Sequence, residues 1–160
     1  MSTHLKLTRN FSLNEFIKSS TATRLGLSNQ PSAEHLVNLT AVSLMILQPV
    51  REHFGKVVGI NSGYRSPELN KAVKGSATSQ HCNGQAADFE IQGLPNYELA
   101  KWIQDNLNFD QLILEFYTPG GDPNSGWVHC SYNAQGENRK KVMTAVREGG
   151  KTAYKSGLLK

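Results

Sequence analysis

Ser79-Gln80-His81-Cys82-Asn83-Gly84-Gln85-Ala86-Ala87-Asp88 is the stretch around which the chain is organised. An imidazole at His81 and a carboxylate at Asp88 are both good ligands for a borderline divalent cation, and Gly84 allows the backbone between them to turn sharply. A third ligand has to come from elsewhere. Trp127-Val128-His129 supplies a second imidazole in an alternating segment. Two histidines and one carboxylate leave the fourth position of a zinc ion open, which points to catalysis and not to scaffolding.

Working outward, Ala86 to Ile91 alternates, with Ala87, Phe89 and Ile91 on one face and Asp88 and Glu90 on the other, so a strand carries the carboxylate off the core side. Upstream, Asn61-Ser62-Gly63-Tyr64-Arg65-Ser66-Pro67 predicts a turn after a short strand over 57–60. Ser66 caps a helix that Pro67 opens, leaving Arg65 at the junction. Lys74 to Thr78 reads as a loop. Downstream, Pro95 to Leu107 has the spacing of an amphipathic helix, with Leu99, Trp102, Ile103 and Leu107 on its apolar side. Asp110 to Tyr117 is an apolar strand with Glu115 near its end. The turn-rich segment 118–126 makes Glu115 and His129 the flanks of one hairpin.

Nearer the N-terminus, Ser12 and Glu15 form a capping box with Phe11 and Phe16 placed as a hydrophobic staple, and a short helix follows. Ser19 to Gln30 reads as loop. Ser32 caps a long helix running to Gly55, with a kink, or a break into two helices, expected near Met45 to Gln48 because Pro49 lacks an N–H and crowds the preceding turn. Beyond Glu137, a last strand is favoured over a helix at Val142 to Val146.

The 160 residues, 38% of them hydrophobic, fit one catalytic domain over 1–160 with a core that needs no staples. Met1-Ser2-Thr3-His4-Leu5-Lys6 shows no leader-like apolar run, and no segment reaches the roughly 18 apolar residues of a membrane span. The expectation is a monomer made in the cytoplasm, with neither membrane nor nucleic acid as partner. Two cysteines in this length predict reduced thiols. The net charge of +4 is concentrated at the C-terminus, where 139–160 hold seven basic residues against Glu148 alone. A basic tail over about 147–160 can attract an anionic cell wall. Nucleic acid is disfavoured because Tyr154 is that tail's one aromatic.

Zinc at His81, Asp88 and His129 would lower the pKa of water toward ~7 and polarise a carbonyl. Glu115 is the candidate base for peptide hydrolysis, and Arg65 the fork for a substrate carboxylate or oxyanion. Tyr64, Ser79, Gln80 and Trp127 are candidates for lining the cleft. The duller readings are an edge charge for Glu115, a pairing of Arg65 with Glu68 or Asp88, and packing for Trp127. A four-ligand site using Cys82 and Cys130 is opposed by strand alternation, which sends His129 and Cys130 to opposite faces. The cysteines are assigned to packing, with a disulfide after release as the alternative.

Taken together, Ser62-Gly63-Tyr64-Arg65-Ser66, Ser79-Gln80-His81 with Gly84, Ala86-Ala87-Asp88, and Phe109-Asp110-Gln111-Leu112-Ile113-Leu114-Glu115 leading to Trp127-Val128-His129 resemble the zinc D-Ala-D-Ala peptidases. The resemblance runs from about Phe11 to Tyr154. It implies an α+β fold shared with the hedgehog signalling domain, a small and mostly antiparallel sheet with flanking helices and a zinc cleft. It also implies hydrolysis of peptide bonds in peptidoglycan stems, with Glu115 and Arg65 in the family's base and substrate-arginine places. One departure is the long Phe116 to Gly126 connection, on which Asp122 is the reserve base. The expected context is a phage lysis enzyme or virion component acting on the wall after release. The alternative is a non-catalytic, zinc-containing wall-binding or structural module of the same fold.

Overall fold

A computed structural model describes residues 4–160; Met1 to Thr3, the start of the stretch read as free of a leader, lie outside the described residues. Six strands form one sheet, ordered β1-β2-β4-β3-β5-β6. They are β1 (Gly59–Ser62), β2 (Ala86–Glu90), β3 (Gln111–Glu115), β4 (Trp127–Ser131), β5 (Lys141–Glu148) and β6 (Lys151–Ser156). All neighbours run antiparallel except β3 and β5, which are parallel. This is the expected α+β architecture. Among the described residues no helix is long and apolar enough to cross a membrane.

Period-two alternation gives the central strands two unlike faces. Ala87 and Phe89 of β2, Leu112 and Leu114 of β3, and Val128 and Cys130 of β4 enter the hydrophobic core. Helices cover that side. α1 (Leu13–Ile17) begins where the Glu15 carboxylate accepts the Ser12 N–H at 2.8 Å. The Phe11 and Phe16 rings, 6.3 Å apart, close its staple. α6 (Asn96–Asn106) buries Leu99, Ala100 and Ile103 against β3 and β4. α5 (Pro67–Ala72) starts as expected, with the Ser66 hydroxyl accepting the Leu69 N–H at 3.2 Å.

The structure corrects three sequence expectations and shows how a fourth is met. Within the segment read as loop, Ser20–Leu25 forms a helix, α2, because Ser19 accepts the Ala22 N–H and Gly26 closes the other end. The first strand lies two residues later than expected: Val57 is exposed and pairing begins at Gly59. The long helix is interrupted near Met45 to Gln48, as expected. α3 (Ala33–Val42) passes through a π-helical stretch, Ser43–Leu47, into α4 (Gln48–Phe54). The widened turn closes with the Gln48 N–H donating to the Ser43 carbonyl, immediately before Pro49. Finally, the basic segment is no loose tail. Residues 151–156 are strand β6, paired along β5 from Glu148↔Lys151 to Met143↔Ser156. The strand favoured at Val142 to Val146 is present as β5.

Between β4 and β5 the chain crosses β3, and Asp110 holds that crossing. Its carboxylate accepts hydrogen bonds from the Arg139 backbone N–H at 3.1 Å, Arg139 Nε at 3.0 Å and Nη2 at 2.8 Å, and Gln80 Nε2 at 3.0 Å. The Arg139 hydrogen bonds, outweighing burial, bring the Asp110 carboxyl down to about 2.

Candidate metal centre

Three elements bring the polar groups together. His81 sits in a 3₁₀ turn, Gln80–Asn83, whose start is held by the Ser79 hydroxyl accepting the His81 N–H at 3.2 Å. Asp88 and His129 are Cα partners on β2 and β4, so their side chains share the face opposite the core. One ligand atom from each of His81, Asp88 and His129 falls within 4.8 Å of the other two, a spacing that could hold one metal ion.

The local hydrogen bonds prepare this set for a cation. His81 Nδ1 lies 2.7 Å from the Gly63 carbonyl oxygen, which can only accept, so Nδ1 carries the proton and Nε2 keeps its lone pair. Nε2 is buried and has no hydrogen-bond partner among the described residues; its 3.3 Å approach to Asp88 Oδ1 is a contact without hydrogen-bond geometry. Asp88 Oδ1 is also 2.9 Å from His129 Nδ1. A buried lone pair aimed at a shared carboxylate oxygen is poorly satisfied until a cation sits between them. The donor set therefore fits a divalent ion such as zinc.

Charge states agree with this. Burial lowers the pKa of the His81 imidazole, against the raising influence of Asp88, which keeps it neutral. For Asp88, burial alone would raise the carboxyl, but the two neighbouring imidazoles, His81 and His129, outweigh it and hold the group far below the usual carboxylate range. A neutral imidazole and an ionised carboxylate are the forms that ligate.

Gly63 has no room for a side chain, because a Cβ would fall 2.7 Å from the Cα and carbonyl oxygen of Phe16. That close crossing of α1 aims the Gly63 carbonyl at His81. The Tyr64 N–H donates to Phe16 O at 2.8 Å and the Arg65 N–H to His81 O at 3.1 Å, joining the Ser-Gly-Tyr-Arg-Ser turn to the 3₁₀ turn. Arg65 Nε is buried with no hydrogen-bond partner among the described residues, and its guanidinium faces a groove of about 270 Å³ lined also by Tyr64, Asp88, Asn61 and Lys18. A second depression, about 320 Å³ between Phe54, Tyr97 and Trp102, gathers none of these groups.

Glu115 shares the face of His129, since Glu115 pairs with Trp127 and Ile113 with His129. Burial pushes its carboxyl up to about 7, with Asp88 adding to the rise and His129 and Arg65 opposing it. Its backbone is set by a tight bend. Phe116 has φ 55°, and Gly126, at φ 68°, lies so close that a Cβ there would collide with the Glu115 carbonyl oxygen.

The remaining residues singled out in the sequence are spread around this centre. Ser79 caps the His81 turn and Gln80 is tied to Asp110. Trp127 lies against Phe116 with ring centroids 5.5 Å apart. Asp122 is exposed and accepts the Asn124 N–H at 2.9 Å, in a loop that the Asn124 side chain fastens to Leu94. Cys82 and Cys130 are free thiols, the second fully buried in the core. The Gly63 carbonyl and Asp110 were not singled out as working groups. Their signal lay inside motifs already quoted, but a backbone acceptor carries no chemical type to notice.

A family model described as Peptidase M15 matches residues 9–131, which takes in every group just placed. No curated protein matches the chain.

Proposed function

The chain belongs to the M15 peptidase family, and on that premise we propose that it is a zinc peptidase hydrolysing a bond beside a D-amino acid in peptidoglycan stem peptides. The convergence of His81, Asp88 and His129, with His81 Nε2 left bare in a buried position, carries the reading. Zinc, held by these three, would supply an electrophile that acidifies water and polarises the scissile carbonyl.

The protein's own groups do the rest. Glu115, with a pKa near 7, accepts the proton of the attacking water as oxygen bonds to the carbonyl carbon. When the C–N bond breaks, that proton passes to the leaving amine, so the carboxylate is regenerated. Arg65, its Nε buried and without a hydrogen-bond partner among the described residues, offers its guanidinium to the substrate's carboxylate, and Tyr64 lines the same groove. Gly63 fixes the His81 tautomer. Ser79 and Gln80 position the His81 turn, and Trp127 braces Phe116 beside the base.

Purified protein reconstituted with zinc should release new amino groups from peptidoglycan, and mass spectrometry of the fragments would name the bond. A chelator should abolish release, and Glu115→Ala should retain zinc while losing turnover. If zinc-loaded wild type cut no wall preparation or stem peptide, the reading would fail in favour of a non-catalytic wall-binding module.

A further inference from the structure

The face that carries the metal ligands does not stop at Glu115. Glu115 is the Cα partner of Ala145 on β5, and Ala145 is the partner of Tyr154 on β6, so the three side chains stand in one row on one face. Neighbouring strands are about 4.8 Å apart, which sets the Glu115 and Tyr154 backbones roughly 10 Å from each other. The residue between them is an alanine, fully buried, with nothing beyond a methyl group to block a phenol leaning toward the carboxylate. Tyr154 is 56% exposed. Its ring is therefore no part of the core, and its position on the outer strand calls for another account.

We propose that Tyr154 is a substrate-contacting residue, its hydroxyl donating a hydrogen bond to a backbone carbonyl of the peptide on the side of the metal centre opposite Arg65, so that the β5–β6 hairpin forms one wall of the cleft. The inference rests on the peptidase reading. It extends the site into residues 141–156, beyond the matched 9–131. Burial, and then the charge of Glu115, hold the phenol above its ordinary range, so at neutral pH it is a donor. The same negative charge selects against an anionic partner and for a neutral carbonyl oxygen. Arg65 and Tyr154 flank the metal ligands in the order β1, β2, β4, β3, β5, β6, a path across the strands that an extended peptide can follow. Next to Glu115 on the same side, Arg147 covers the Phe116 ring at 4.8 Å, which firms the hairpin against the end of β3.

The test compares zinc-loaded wild type, Tyr154→Phe and Lys155→Met on a soluble stem pentapeptide. Lys155 sits on the other face of β6 in an exposed ion pair with Glu148. Steady-state kinetics give KM and kcat, and calorimetry gives the affinity for the purified cleavage products. Loss of one substrate hydrogen bond should lower kcat/KM of Tyr154→Phe by about tenfold, mainly through KM, with zinc content and Tm unchanged and Lys155→Met like wild type. Wild-type turnover with Tyr154→Phe within about twofold of it in kcat/KM overturns this inference and leaves the peptidase reading intact. Absence of wild-type turnover and binding overturns both. A fall in Tm for Tyr154→Phe that accounts for the lost activity also overturns it, by assigning the hydroxyl to structure.

Discussion

The two faces of the central strands are made from the same segments and do opposite work. On β2, Phe89 is wholly buried among core side chains, while its neighbour Asp88 faces two imidazoles. On β3, Leu114 is buried and Glu115 beside it is held at a pKa near 7. One residue of displacement along a strand separates a side chain packed in the core from a titratable one held among polar groups. The apolar face is satisfied as it stands. The polar face and the turn beside it hold two buried nitrogens, His81 Nε2 and Arg65 Nε, without hydrogen-bond partners among the described residues, and a carboxyl that burial raises to about 7.

Breaking the comparison at adjacent positions should produce the largest contrast. Asp88→Ala is expected to abolish zinc binding and turnover and to cost less metal-free stability than Phe89→Ala, which should lose ~3–5 kcal/mol in urea unfolding and weaken activity only through folding. Comparable unfolding midpoints for the two metal-free variants would contradict the division. Glu115→Ala should reduce kcat by ~10²–10⁴ with zinc content preserved, as judged by metal analysis of the dialysed protein.

Smaller effects sharpen the comparison at its supports. Asp110→Asn removes the charge that Arg139 and Gln80 meet, and should destabilise by ~1–3 kcal/mol near neutral pH. Because the folded Asp110 pKa is depressed to about 2 from 3.8, its stabilising contribution is present above pH 4 and lost as pH falls from 4 toward 2. Acid titration followed by circular dichroism should therefore show a shallower loss in Asp110→Asn than in wild type. Glu115 has the reverse sign. Its folded pKa of about 7 exceeds the ordinary 4.5, so the folded protein binds more protons in that window and metal-free stability declines as pH rises from 4.5 through 7. Glu115→Gln should flatten that decline, and an unaltered slope would mean the carboxyl is not buried as described.

Much of this was legible in order along the chain. Ser12, Ser66 and Ser32 announce helix starts through local hydrogen bonds, and the alternation at Ala86 to Ile91 assigns Asp88 and Phe89 to different faces. The α2 helix was missed because its six residues carry no apolar periodicity; what makes it is Ser19 at one end and Gly26 at the other. Pro49 announced an irregularity just before it, and its form, a π-helical stretch over Ser43–Leu47, was not legible from the proline alone. The C-terminal charge was read as a tail because lysines at 151 and 155 describe a solvated surface equally well on a coil or on the outer strand of a sheet.

Composition and spacing by themselves determined which atoms are available: two imidazoles and a carboxylate for a cation, a further carboxylate and a guanidinium beside them, and strands of period two to carry them. Those are properties of residue type and of neighbours one to four positions away. Only the tertiary structure decided that the Gly63 carbonyl accepts the Nδ1–H of His81 and so fixes its tautomer, that burial lifts the Glu115 pKa to about 7, and that β5 inserts parallel to β3 so that Tyr154 joins the same face. Tautomer, desolvation and strand order depend on groups far apart along the chain, and no local pattern encodes the low dielectric or the crossing that brings them together.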